Sequence, residues 1–101
     1  MSETRTVDVV ITGHVQGVGF RIWTKHQAEL HGLSGHVRNR DDGTVAATFS
    51  GPADAVEAML KACAQGPRGS DVTNVAVNEG TATVAEGTGS AQGRGFTIGG
   101  A

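Results

Sequence analysis

The sequence contains no tyrosine, one tryptophan, one cysteine and two prolines among its 101 residues. A single cysteine excludes an internal disulfide and a zinc site built from two cysteine pairs. Aromatic residues reach only 4% of the chain, few for a surface that stacks bases. No apolar run approaches the roughly 18 residues that a membrane span needs. The opening Met1-Ser2-Glu3-Thr4-Arg5-Thr6 lacks the apolar stretch behind a basic tip that marks a secretory signal. Positive charge is not in excess either: 8 Lys and Arg stand against 10 Asp and Glu, for a net charge of −2. That balance argues against a nucleic-acid partner, because phosphate-backbone binding draws on clustered basic residues. With 38% hydrophobic and 18% charged residues, the chain is too apolar to stay disordered. Residues 1–101 therefore read as one soluble domain of a reducing compartment, expected in the cytoplasm, with no membrane or nucleic-acid partner.

Glycine, by contrast, is plentiful, with 16 residues, and it divides the chain into segments. Val7 to Thr12 is β-branched and roughly alternating, as a strand should be. Gly13-His14-Val15-Gln16-Gly17-Val18-Gly19 ends that run. Phe20 to His31 holds no Gly or Pro, and Phe20, Trp23, Gln27 and Leu30 recur at helical spacing, with Gly32 as a left-handed stop. Gly35 to Arg40 and Thr44 to Phe49 flank Asp41-Asp42-Gly43, which predicts an antiparallel hairpin. Val37 and Asn39 should share one face of its first arm, opposite His36, Arg38 and Arg40. Pro52 suits the first position of a second helix, along which Val56, Met59, Leu60 and Cys63 form one stripe. Gly66-Pro67 closes it, and Val72 to Val77 reads as a further strand. Residues 79–94 read as a flexible glycine-rich loop before a short closing strand at Phe96-Thr97-Ile98.

The order is β-α-β-β-α-β. Two helices with one apolar stripe each need a common partner, which one face of an antiparallel sheet supplies. The expected fold class is α+β, a ferredoxin-like α/β sandwich with both helices on one face. Such a fold hosts many functions, so the site must decide.

Chemistry could sit where the first strand meets the first helix. Backbone N–H groups of a small-residue loop, with the unpaired donors of a first helical turn, make an anion cradle. Arg21 adds a planar fork able to grip two phosphate oxygens. The plainer alternative is a turn that uses glycine for geometry, with Arg21 a solvated charge. The loop has neither the Gly-Lys-Ser/Thr ending of a P-loop nor the spacing of a dinucleotide turn, so a single phosphoryl group suits it better than a nucleotide. Asn39, expected on the helix side of the sheet, could accept and donate together and so position a water. Its alternative is a turn-forming residue leading into Asp41-Asp42-Gly43.

Gly13 to Arg21, followed by Gly32-Leu33-Ser34-Gly35-His36-Val37-Arg38-Asn39-Arg40-Asp41-Asp42-Gly43-Thr44-Val45, resembles the acylphosphatase family. The likeness runs from Val7 to Gly66, weakens through Val72 to Val77 and returns at Phe96-Thr97-Ile98. It implies hydrolysis of carboxyl-phosphate anhydrides by a small monomeric enzyme without metal or cofactor. Inorganic phosphate would be the product and an inhibitor. By position the catalytic pair falls on Arg21 and Asn39, and the phosphate-binding loop on Gln16, Gly17, Val18, Gly19 and Phe20, with Arg21 completing it. His36 stands where such proteins more often carry Trp or Tyr. The ending Ile98-Gly99-Gly100-Ala101 lacks the Arg or Tyr seen in some members, and the segment from Glu79 to Arg94 is longer and richer in glycine. None of these departures is expected to touch Arg21 or Asn39.

Other residues fit bland roles. His14, His26, His31 and His36 show no metal spacing, although His14 beside the loop could carry a phosphoenzyme. Cys63 reads as core. Three other functions compete with the enzyme: a non-catalytic module that binds phosphate or an acyl phosphate, an RNA-recognition module, and a carbamoyl-phosphate-handling domain of a larger maturation protein. The RNA reading suffers because Asp8, Val10, Thr12, His36, Arg38, Ala46 and Thr48, expected on the open sheet face, include no aromatic residue.

Overall fold

The computed structural model describes residues 3–79 and 95–99. Its elements in chain order are β1 (Thr4–His14), α1 (Phe20–Leu30), β2 (Ser34–Asn39), β3 (Val45–Pro52), α2 (Ala53–Gln65), β4 (Asp71–Glu79) and β5 (Phe96–Ile98). They build one sheet in the order β4-β1-β3-β2-β5. The ferredoxin-like α+β arrangement read from the sequence is present, with one correction: the sheet is mixed. β5 runs parallel to β2, while the other three pairings are antiparallel.

A single row of side chains shows how alternation builds the core. Val77, Val9, Ala47, Val37 and Ile98 stand opposite one another across all five strands. The three inner members are buried and the two edge members are partly exposed. Val7, Ile11, Val45 and Phe49 fill neighbouring rows of the same face, and Val56, Met59 and Cys63 of α2 close over it. Phe96 enters from β5 and stacks on Phe49, with ring centroids 5.6 Å apart. Removing this apolar area from water is the main favourable term of folding. On the opposite face Thr48 is buried, its hydroxyl donating to Asp8 Oδ1 at 2.7 Å.

Several expectations need correction. The buried stripe of α1 is Phe20, Thr24 and Ala28. Trp23 and Gln27 lie at its margin, and Leu30 faces solvent together with Ile22. Small side chains at positions 24 and 28 let the helix lie close against β2 and β5, which turns the larger Leu30 outward. An exposed apolar pair thus exists where the sequence suggested none. Pro52 ends β3 and occupies the N-cap position of α2, one residue before the helix proper. Glu79 is still in β4, paired with Val7, so strand continues where loop was expected to begin. The rest of the expected glycine-rich loop, 80–94, lies outside the described residues.

Candidate active site

The site begins where β1 stops. Its pairing with β4 shifts register between Thr12 and Gly13, and a side chain at Gly13 would collide with the Asp71 carbonyl oxygen. The close strand approach therefore requires glycine and releases the chain into the loop 15–19. Gly17 and Gly19 have φ of 79° and 78°, the left-handed region that costs an L side chain roughly 1–2 kcal/mol. Nothing lies within 4 Å of where their Cβ atoms would stand, so backbone conformation, not crowding, calls for glycine there.

Gly19 is the N-cap of α1, and it supplies no side-chain cap. The first turn carries no acidic residue and instead holds Arg21. Among the described residues, the N–H groups of residues 16–20 donate to no backbone or side-chain acceptor. A positive helix terminus with orphan donors and an arginine beside them is unfavourable alone and favourable around an anion. An acyl phosphate would present such an anion.

Two hydrogen-bonded ties hold this loop and helix against β2 and its turn. On one side, Gly99 directly after β5 donates its N–H to the Val37 carbonyl at 2.7 Å. The Gly99 carbonyl in turn accepts from Arg21 Nη1 at 3.2 Å. Val37 is two residues before Asn39 on the same strand, so Arg21 is referenced to the strand that carries Asn39. On the other side, Gln16 Nε2 donates to the carbonyls of Arg40 and Thr44 at 2.8 and 2.9 Å. Its side chain is thereby committed to the hairpin, leaving the backbone N–H as what Gln16 can give the cradle.

Asn39 is half-buried at the end of β2, paired with Val45, and its carboxamide makes no hydrogen bond among the described residues. It borders an open cleft of about 350 Å³ that Arg38, Arg40, Asp41 and Asp42 also line. Arg21 does not line that cleft; its link to Asn39 is the path through Gly99 and Val37. Asp42 Oδ1 accepts from the Thr44 hydroxyl at 2.6 Å and the Thr44 N–H at 3.0 Å. Those bonds hold the Asp42 carboxyl below its ordinary value, with the Arg40 charge adding to the effect. This small network fixes the turn beside Asn39.

The Acylphosphatase family model matches residues 7–98 of this chain. The chain belongs to the acylphosphatase family. It is 53% identical over 72 residues to an acylphosphatase of Azorhizobium caulinodans, covering 71% of this chain and 77% of that one. Against an acylphosphatase of Rhizobium meliloti it is 47% identical over 83 residues, 82% of this chain and 87% of the other. The crystal structure of an acylphosphatase from Bacillus subtilis superposes with a TM-score of 0.82 at 31% identity, over 97% of this chain and 100% of that chain. Acylphosphatases are hydrolases of acyl phosphates, so the enzyme reading stands ahead of a non-catalytic module.

Other candidates are ordinary within this acylphosphatase fold. Cys63 is buried in α2, and burial pushes its thiol up to about 12, which keeps it protonated and unreactive. Among the described residues, no three His, Cys, Asp or Glu side chains gather as metal ligands. Sequence reasoning missed two features: the Gly99 carbonyl on Arg21 and the direction of the Gln16 side chain. The C-terminal departure does touch Arg21, contrary to expectation, because the contact is made by backbone. A backbone contact has no residue-type signature. Gln16 gave one usable signal, as the only carboxamide inside a run of small residues.

Proposed function

We propose that this protein hydrolyses small acyl phosphates to carboxylate and inorganic phosphate, with Arg21 and Asn39 as its catalytic residues. The phosphoryl group sits on the N–H groups of Gln16 to Phe20, and the Arg21 fork holds its oxygens. The observation that carries this reading is the uncapped start of α1, with its orphan donors and its first-turn arginine.

The chemistry asks little else of the protein. A carboxylate leaves readily at neutral pH, so no strong general acid is needed. Phosphoryl transfer is loose, with charge spread over the equatorial oxygens, and catalysis reduces to positioning and electrostatic stabilisation. The cradle and Arg21 provide stabilisation. Asn39 positions the attacking water through its carbonyl oxygen and amide. Since a carboxamide is no base near neutral pH, a phosphate oxygen finally takes the water proton. Bond accounting is simple: the water oxygen bonds phosphorus, and the phosphorus–acyl oxygen bond breaks with its electrons leaving on the carboxylate.

The reading also takes in inorganic phosphate as an inhibitor at the same cradle, a monomer, a cytoplasmic location, and turnover without a metal ion or cofactor. The test follows benzoyl phosphate hydrolysis by ultraviolet absorbance in the presence of chelator, with spontaneous hydrolysis subtracted. Turnover by the parent that phosphate inhibits competitively, and that Arg21→Ala and Asn39→Ala lose, is the expected result. A folded parent that binds phosphate without turnover would reject it.

A further inference from the structure

We infer that Gln16 is a positioning residue for the reaction, its side chain setting the spacing between the phosphate loop and Asn39. The inference rests on the reading of Asn39 as the residue that holds the attacking water.

The two carbonyls that Gln16 reaches belong to the residues just beyond the last β2–β3 pair, Asn39 opposite Val45. Carbonyl oxygens only accept, so the nitrogen end of the carboxamide must face them, and both of its hydrogens are used. Each carbonyl already has a backbone donor: Arg40 N–H reaches Thr44 O at 2.8 Å, and Gly43 N–H reaches Arg40 O at 3.2 Å. The Gln16 amide is therefore a second, dispensable donor for the hairpin, and losing it orphans neither acceptor. For the loop it is irreplaceable. Among the described residues, no other hydrogen bond joins residues 15–19 to the β2–β3 turn.

Loop and Asn39 thus come from separate elements, and Gln16 ties the loop to Arg40 and Thr44, the residues flanking the Asn39–Val45 pair. Its removal leaves the cradle's N–H groups and Arg21 in place but lets the loop drift relative to Asn39. A misplacement of about 1 Å can cost on the order of 10²-fold in rate. A side chain that touched phosphate would weaken phosphate binding; one that only spaces the loop would lower kcat and spare it.

The test compares Gln16→Ala, Gln16→Met and Asn39→Ala, alone and combined, by benzoyl phosphate kinetics, inhibition by inorganic phosphate and thermal melting. Gln16→Met keeps the volume and removes the donors. Expected are a fall in kcat of roughly ten- to a hundredfold in both Gln16 variants, phosphate inhibition within about threefold of the parent, and melting close to it. In the Asn39→Ala background the Gln16 substitution should cost nothing further, because contacts acting through one residue are non-additive. Full activity in Gln16→Met would assign the effect to packing and overturn the inference. So would a loss that multiplies with that of Asn39→Ala, or phosphate inhibition that weakens in step with kcat. An Asn39→Ala variant as fast as the parent would overturn the underlying reading, and the inference with it.

Discussion

The two helices of this fold begin in opposite ways. α2 starts as an ordinary structural helix: Pro52 sits at its N-cap, Asp54 brings an acid into its first turn, and the Ala53 N–H is satisfied by the Glu3 carbonyl at 2.8 Å. Neither helix has a side-chain cap, but α1 starts from glycines in left-handed conformation, with no acid in its first turn and with an arginine where α2 has its aspartate. Both lie on the same sheet face, so packing does not account for the difference. A cation in the first turn of a helix is unfavourable alone and favourable around an anion, which is the role proposed for the start of α1.

Breaking the α1 side should produce the largest effect. Arg21→Ala is expected to lower kcat/KM by about 10²–10³-fold, and Arg21→Lys to restore little, since a point charge cannot replace the planar fork. Steady-state kinetics on benzoyl phosphate reads both. Melting should change far less, because among the described residues the one hydrogen bond of the Arg21 side chain is to the Gly99 carbonyl. Next comes Gly19→Ala. A left-handed φ of 78° should cost roughly 1–2 kcal/mol by denaturant unfolding, with a loss of activity as the first N–H groups of α1 swing away.

The matching change at α2 sharpens the contrast. Asp54→Asn removes only a favourable charge at a helix start, and should cost about 0.3–1 kcal/mol at low salt with kcat unchanged. If activity fell, the separation of a structural from a functional helix start would be wrong.

The smallest effect concerns pH. The bonds from Thr44 lower the Asp42 carboxyl below its ordinary value of 3.8. A depressed folded pKa stabilises the protein fully above the unfolded value and loses that contribution as pH falls through the folded one. The melting difference between the parent and Asp42→Ala should therefore be flat at neutral pH and narrow below 3.8. A difference that widened in acid would contradict the turn's role.

How much of this was legible in the sequence varied by element. β1, the hairpin and α2 were clear because their patterns coincide with burial: Val7, Val9 and Ile11 alternate into the core, as do Val45, Ala47 and Phe49. α1 misled because hydrophobicity alone orients a helix poorly. Thr24 and Ala28 are buried for being small, and Leu30 is exposed although large. The direction of β5 was not legible, since three residues carry no mark of parallel or antiparallel pairing. Arg21 and Asn39 could be singled out from the motifs that contain them. What holds them could not, because Gly99 acts through its backbone and Gln16 through two carbonyls some 24 to 28 residues away in the chain.

The most direct test of the contrast is to titrate inorganic phosphate into the uniformly ¹⁵N-labelled protein and follow every backbone amide. Saturable shifts concentrated on residues 16–21 are expected, competitive with substrate and abolished in Arg21→Ala, with Ala53 to Val56 at the start of α2 unmoved. Shifts of equal size at both helix starts, or none at the first, would contradict the contrast.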